Sequence, residues 1–194
     1  MKTRMMLLAM ALVLSACGEN KDAAGEVESA ARSPSGPSES WPLVWQLAEG
    51  SCQNTEIRVL LQFNQGLVGW ADPEACELSA GAWQSWGRDA VMPLHLTWVV
   101  PLVTPGHAER HGAVGWSREQ KIAFINDMDN LIILDPVSTR ERADLGPHLW
   151  VPLERFWCEY ANRWERVKQR YQLAIPEPEG EAIAHMQTRC PAGD

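Results

Sequence analysis

The sequence predicts an α+β fold for a single domain spanning residues 41–194, on three observations. Trp157, Tyr160, Trp164, Val167 and Tyr171 are spaced three, four, three and four residues apart, which draws one apolar stripe down a helix from Arg155 to Tyr171. Leu131 to Leu134 is a short, wholly apolar run of the kind that forms a buried strand. Upstream, short extended stretches are broken by Gly and Pro, the punctuation of hairpins rather than of long helices.

Taken in order, Asn54-Thr55 offers a helix start, with Ile57, Leu60 and Leu61 on one face of a short helix. Gly66 to Trp70 and Cys76 to Trp83 read as short strands divided by Asp72-Pro73. Val91 to Leu102 is an extended run interrupted by Pro93 and Pro101, and Thr104 to Gly115 reads as a loop. Ser117 with Gln120 makes a capping box for a helix to about Ile125. The apolar strand Leu131 to Leu134 follows, and Pro136 suits the first turn of a short helix running through about Ala143. After the long helix, a last one spans about Glu179 to Arg189, with Ile183, Met186 and Cys190 on one side.

The N-terminus is read as an address. Lys2 and Arg4 precede an apolar stretch from Met5 to Leu14 that is short for a bilayer-spanning helix, so residues 1–16 are expected to be a signal peptide. Leu14-Ser15-Ala16-Cys17 resembles the bacterial lipobox, which implies acylation of Cys17 and insertion of the acyl chains in a lipid bilayer. Gly18 after the cysteine implies the periplasmic side of the outer membrane. Residues 17–40 are rich in Gly, Ser, Ala, Pro and Glu and read as a disordered tether.

The net charge of −8 removes the general field that draws in nucleic acid. The ten tryptophans are expected in the core, ahead of a platform for glycans. With Cys17 set aside, four cysteines remain in an oxidising compartment, and four allow three pairings. Cys52–Cys76 and Cys158–Cys190 are the expected pairs, because each brackets one local unit. No CxxC knuckle argues for zinc instead.

Several strings lie in one order: Cys52-Gln53-Asn54-Thr55, Cys76 to Trp83, Thr97-Trp98-Val99-Val100-Pro101-Leu102, Trp116-Ser117, Phe124 to Leu131, Thr139 to Ala143, and Gly146-Pro147-His148-Leu149-Trp150-Val151-Pro152. In this order the chain from about Cys52 onward resembles the small secreted HNH-type endonucleases. That resemblance implies a ββα-metal core with short hairpin strands and added C-terminal helices, stapled by disulfides. The family strand motif reads Asp-His-Val-Val-Pro-Leu, with the histidine as general base, and the family helix motif reads Asn-Arg-Ser-Lys-Gly, its asparagine facing a divalent metal.

Here Thr97 stands for the acid, Trp98 for the base and Thr139 for the metal-facing asparagine. Arg142 keeps the positive charge of the family lysine, and Asn126 and Asn130 are retained. An indole donates a hydrogen bond but accepts no proton near neutrality. The expectation is therefore a degenerate, non-catalytic binding module with no cofactor, whose partner is a protein or envelope component, nucleic acid being less favoured. The alternative is an active periplasmic endonuclease with a divalent ion and a relocated base. His95 is the candidate: strand alternation would set it with Thr97, where it could replace a ligand, and a bulge at Pro93 would have to break that parity for it to serve as the base at Trp98. His107 and His111 are read as solvated loop histidines, His148 as a surface or satisfied residue, and Asp127 and Asp129 as turn and cap residues. The basic face of Arg155, Arg163, Arg166, Lys168 and Arg170 is read as solvated, with an i,i+4 pair between Glu159 and Arg163.

Overall fold

A computed structural model of the chain describes residues 41–42 and 44–191. The expected signal peptide (1–16), the lipidation site Cys17 and the tether (17–40) lie outside the described residues.

The described part is α+β. Helix α1 (Thr55–Phe63) starts at Asn54, whose side chain accepts from the Ile57 amide. Three two-stranded antiparallel pairs follow. β1 (Gly69–Trp70) pairs with β2 (Leu78–Ala80), β3 (Trp83–Gln84) with β4 (Val91–Met92), and β5 (Trp98–Pro101) with β6 (Leu131–Leu134). Between the last two strands lie α2 (Pro105–Arg110) and α3 (Arg118–Ile125). After β6 come α4 (Pro136–Arg142), α5 (Trp157–Arg170) and α6 (Glu177–Gln187).

β6 is buried along its whole length and lies under β5 in the register Trp98↔Leu134 to Pro101↔Leu131. Asp135 then turns the chain into α4. Its carboxylate accepts the amides of Val137 and Ser138 and the hydroxyls of Ser85 and Ser138, so one buried side chain fixes the exit of β6 and the start of α4 together. The capping box of α3 closes in both directions between Ser117 and Gln120. The α5 stripe buries Tyr160, Trp164 and Val167 with Trp157 and Tyr171 packed at its ends. Cys52 is bonded to Cys76, and Cys158 to Cys190. The loops they close span 24 and 32 residues. Closures of that size restrict the unfolded chain by about 3–4 kcal/mol each.

Of the ten tryptophans, nine lie in the core or pack against it; Trp98 is the exposed one, at 43%.

The structure corrects three local expectations. Residues 104–115 are not a loop: Thr104 caps α2 through its side chain, Pro105 occupies the first turn, and a 3-10 turn (Ala113–Gly115) follows. His107 is accordingly buried rather than solvated. His95 is not part of a strand. Pro93 opens a 3-10 turn over Leu94–Leu96, which cancels the alternation that put His95 with Thr97. The basic face of α5 is not uniformly solvated. Arg163 and Lys168 are buried, while Arg155, Arg166 and Arg170 pair with Asp89, Asp129 and Asp127.

Candidate functional site

β5, β6 and α4 bring the positions singled out by the sequence into one region, but their polar groups do not converge. The Thr97 hydroxyl donates to the Pro93 carbonyl at 2.8 Å, and the Thr139 hydroxyl donates to the Asp135 carbonyl at 2.9 Å. Each is a local side-chain-to-backbone bond four residues back, which commits the hydroxyl proton to its own chain. Asn130 is wholly buried. Its Oδ1 accepts from the Val103 amide, and its Nδ2 donates to the carbonyls of Val103 and Phe124. Arg142 is buried as well and donates to the Leu102 carbonyl at 2.8 Å, so its charge props the end of β5 rather than facing solvent. Burial pushes the Arg142 pKa down, and its Nε atom, like the Tyr160 hydroxyl, has no hydrogen-bond partner among the described residues. His95 is exposed in a hollow lined by Ser79, Ala80, Gly81 and Leu94, and Trp98 borders a different one. Ala143 ends α4 with φ 42°, a conformation that favours glycine.

The hollow at Trp98 is a groove of about 390 Å³. It is bordered by Val44, Trp45, Glu56 and Ile125 and by every residue from Thr97 to Pro101. Side chains of a strand alternate between faces, so five consecutive residues along one groove mean that the backbone edge of β5 faces it. The other edge is bonded to β6, and no further strand joins this sheet among the described residues. The groove is mainly apolar. Its carboxylate, Glu56, has a pKa raised by burial.

A second cluster lies where α2 meets α5 and α6. Glu179 is 0% exposed. Its Oε1 accepts the Trp164 indole at 2.7 Å and lies 3.0 Å from the Lys168 ammonium; its Oε2 lies 3.0 Å from His107 Nε2. Burial pushes the carboxyl pKa up, but the bonds from His107 and Trp164 and the charge of Lys168 outweigh it and hold the group at about 2. Lys168 itself is 0% exposed and also donates to the Ala174 carbonyl. His107 Nδ1 lies 3.3 Å from the Asp144 carbonyl. His111 stacks on His107 with ring centroids 4.1 Å apart and sets its Nδ1 2.7 Å from the His107 carbonyl. Burial lowers the His111 pKa. Sequence reasoning missed this cluster, although Lys168 stands four residues after Trp164 and so shares its buried face.

The fold and these two regions define a disulfide-linked α+β domain with an apolar groove and a buried ionic cluster. No family model matches the chain, and no solved structure matches it. A protein of Arthroderma benhamiae described as an "Uncharacterized secreted protein" is 31% identical over 155 residues, which cover 75% of this chain and 72% of that protein. The chain belongs to the same family as that secreted protein. Among the described residues no helix is long and apolar enough to cross a membrane.

Proposed function

We propose that this chain is an exported lipoprotein whose HNH-like ββα scaffold has lost phosphodiester chemistry and serves as a non-catalytic module that binds an extended protein segment. The observation that carries the reading is the placement of Trp98. It occupies the position that the resemblance gives to the base, and it is the exposed tryptophan among nine packed ones, on the rim of an apolar groove. An exposed indole beside apolar walls is a strong anchor for a protein partner. The facing edge of β5 offers mainly carbonyls for main-chain bonds, since the Thr97 amide is bonded to the Leu94 carbonyl and Pro101 has no N–H, while Glu56 and the net charge of −8 favour a basic residue in the ligand.

Three further points support the scaffold. β5, β6 and α4 follow one another as strand, strand and helix, separated by the α2–α3 excursion. The positive φ of Ala143 falls where the family motif has glycine. The hydroxyls of Thr97 and Thr139, at the acid and asparagine positions, donate to backbone carbonyls, and their neutral oxygens are weaker metal ligands than the carboxylate they replace. Export is supported by the secreted relative and by the lipobox-like Leu14 to Cys17, with the periplasmic face of the outer membrane as the anchoring surface.

The test has two arms. The purified disulfide-bonded protein is incubated with plasmid and with RNA across Mg, Mn, Ni and Zn, beside His95→Ala; no cleavage is expected. Metal-dependent cutting that His95→Ala abolishes would establish the nuclease alternative instead. In the second arm a displayed peptide library is panned against the protein. Enriched sequences are expected to pair an aromatic or aliphatic residue with a basic one, and Trp98→Ala is expected to lose them. Export is checked separately: Cys17→Ser should stop incorporation of labelled palmitate and move the protein out of the membrane fraction.

A further inference from the structure

We propose that His107, His111 and Glu179 form a binding site for one divalent transition-metal ion of the zinc class, at the junction of α2 with α6. The candidate donor atoms of the three side chains lie within 4.8 Å of one another. The site is separate from the groove at Trp98, and the inference is independent of what that groove binds.

The placement of the donor atoms around the two imidazoles carries the argument. His111 Nδ1 faces the His107 carbonyl, which only accepts, so Nδ1 bears the proton and the neutral ring turns a lone pair out at Nε2. His107 has an acceptor at each nitrogen: the Asp144 carbonyl at Nδ1 and the Glu179 carboxylate at Nε2. A neutral ring has one proton to give, and at Nε2 it is donated to Glu179 across 3.0 Å. In the other tautomer the proton is donated to the Asp144 carbonyl, and Nε2 turns a lone pair towards the carboxylate oxygen, a gap that a divalent ion can bridge.

The geometry suits the ion. Two donors 3.0 Å apart, each about 2.1 Å from a metal, subtend roughly 90° at it, an ordinary cis angle. Imidazole nitrogens with one carboxylate oxygen are a ligand set for zinc and its neighbours rather than for calcium. His107 lies on α2 and His111 is its C-cap four residues on; their rings stack with centroids 4.1 Å apart, so the half-buried His111 ring has to tilt out of the stack to aim its Nε2 at the ion. The outer contacts orient the ligands. Asp144 holds His107, the His107 carbonyl holds His111, and Trp164 and Lys168 hold the second oxygen of Glu179. Lys168 keeps its own oxygen, so the ion displaces the shared proton and not the ammonium. Three protein ligands leave a fourth position open to water or to a ligand of a partner.

The experiment uses the full, disulfide-bonded chain stripped of metal and titrated with zinc chloride by calorimetry, with thermal unfolding in parallel. The wild type is expected to take up one ion per chain and to unfold at a higher temperature with zinc than without. Proton and ion compete for one gap, so affinity should fall as the solution is acidified. His111→Ala removes a ligand but leaves the His107–Glu179–Lys168 bonds. It should keep the metal-free midpoint and lose at least about tenfold in affinity. His148→Ala, on the surface nearby, should bind as the wild type does. No stoichiometric uptake, or equal affinity in wild type and His111→Ala, would overturn the proposal.

Discussion

Asn130 and Val103 form a two-way clasp: the side-chain oxygen of Asn130 accepts the Val103 amide at 2.8 Å, and its nitrogen donates to the Val103 carbonyl at 3.3 Å. A third bond runs to the carbonyl of Phe124, so one buried amide ties the end of β5 to the end of α3. Asn130→Ala would leave the Val103 amide and two carbonyls without that partner in the interior. The expected loss is about 2–4 kcal/mol in urea-induced unfolding, with the disulfides intact. A change below about 0.5 kcal/mol would mean that the clasp is dispensable.

Ala143 is held at φ 42°, at the end of α4. A side chain in that region is strained, and glycine relieves it. Ala143→Gly is expected to stabilise the protein by about 1 kcal/mol despite the added freedom of its unfolded chain. The same denaturation curve reads the sign directly: a midpoint that falls contradicts the strain.

Glu179 gives the protein an acid limit. Its pKa drops from 4.5 to about 2 on folding, so the carboxylate stabilises the native state fully above the higher value. That contribution, on the order of 1–3 kcal/mol, is lost as pH falls from about 4.5 towards 2. Midpoints measured across this window should drop for the wild type. In Glu179→Gln the midpoint should be lower already near neutrality and change less through the window.

Trp98→His would place an imidazole at the position that the resemblance to HNH-type endonucleases assigns to the base, and plasmid cleavage by this single variant is expected to remain absent in every metal tried. The reason lies beside it. The Thr97 and Thr139 hydroxyls are engaged by Pro93 and Asp135 carbonyls, and neither supplies a carboxylate. Robust cutting would show that a metal is held by other side chains.

How much of this was legible in the sequence varies with the physical signal involved. α5 was legible because five large side chains repeat at helical spacing, and α3 because a reciprocal cap marks its start. The strand Leu131–Leu134 and the helix opened by Pro136 were legible for similar local reasons. α2 was not, although Thr104-Pro105 is a proper start: the six-residue helix is too short to show a periodicity, and Gly106 follows the proline. The burial of Arg163 was hidden for another reason. Its guanidinium is satisfied by the backbone carbonyls of Met128, Asp129 and Leu131, which no side-chain pattern announces, and it packs over Phe63 and Trp86. Glu179 needed knowledge of which helix lies against it; its partners stand 72, 15 and 11 residues away or are reached only once α6 folds back on α5.

The last helix is fastened near both ends. Glu179 in its first turn is gripped by α2 and α5, and Cys190, just beyond its last turn, is bonded to Cys158. A protease that nicks the exposed connection at Ala174–Pro176 therefore severs the chain without releasing the piece. The clipped molecule would run as one band on a gel until a reductant is added.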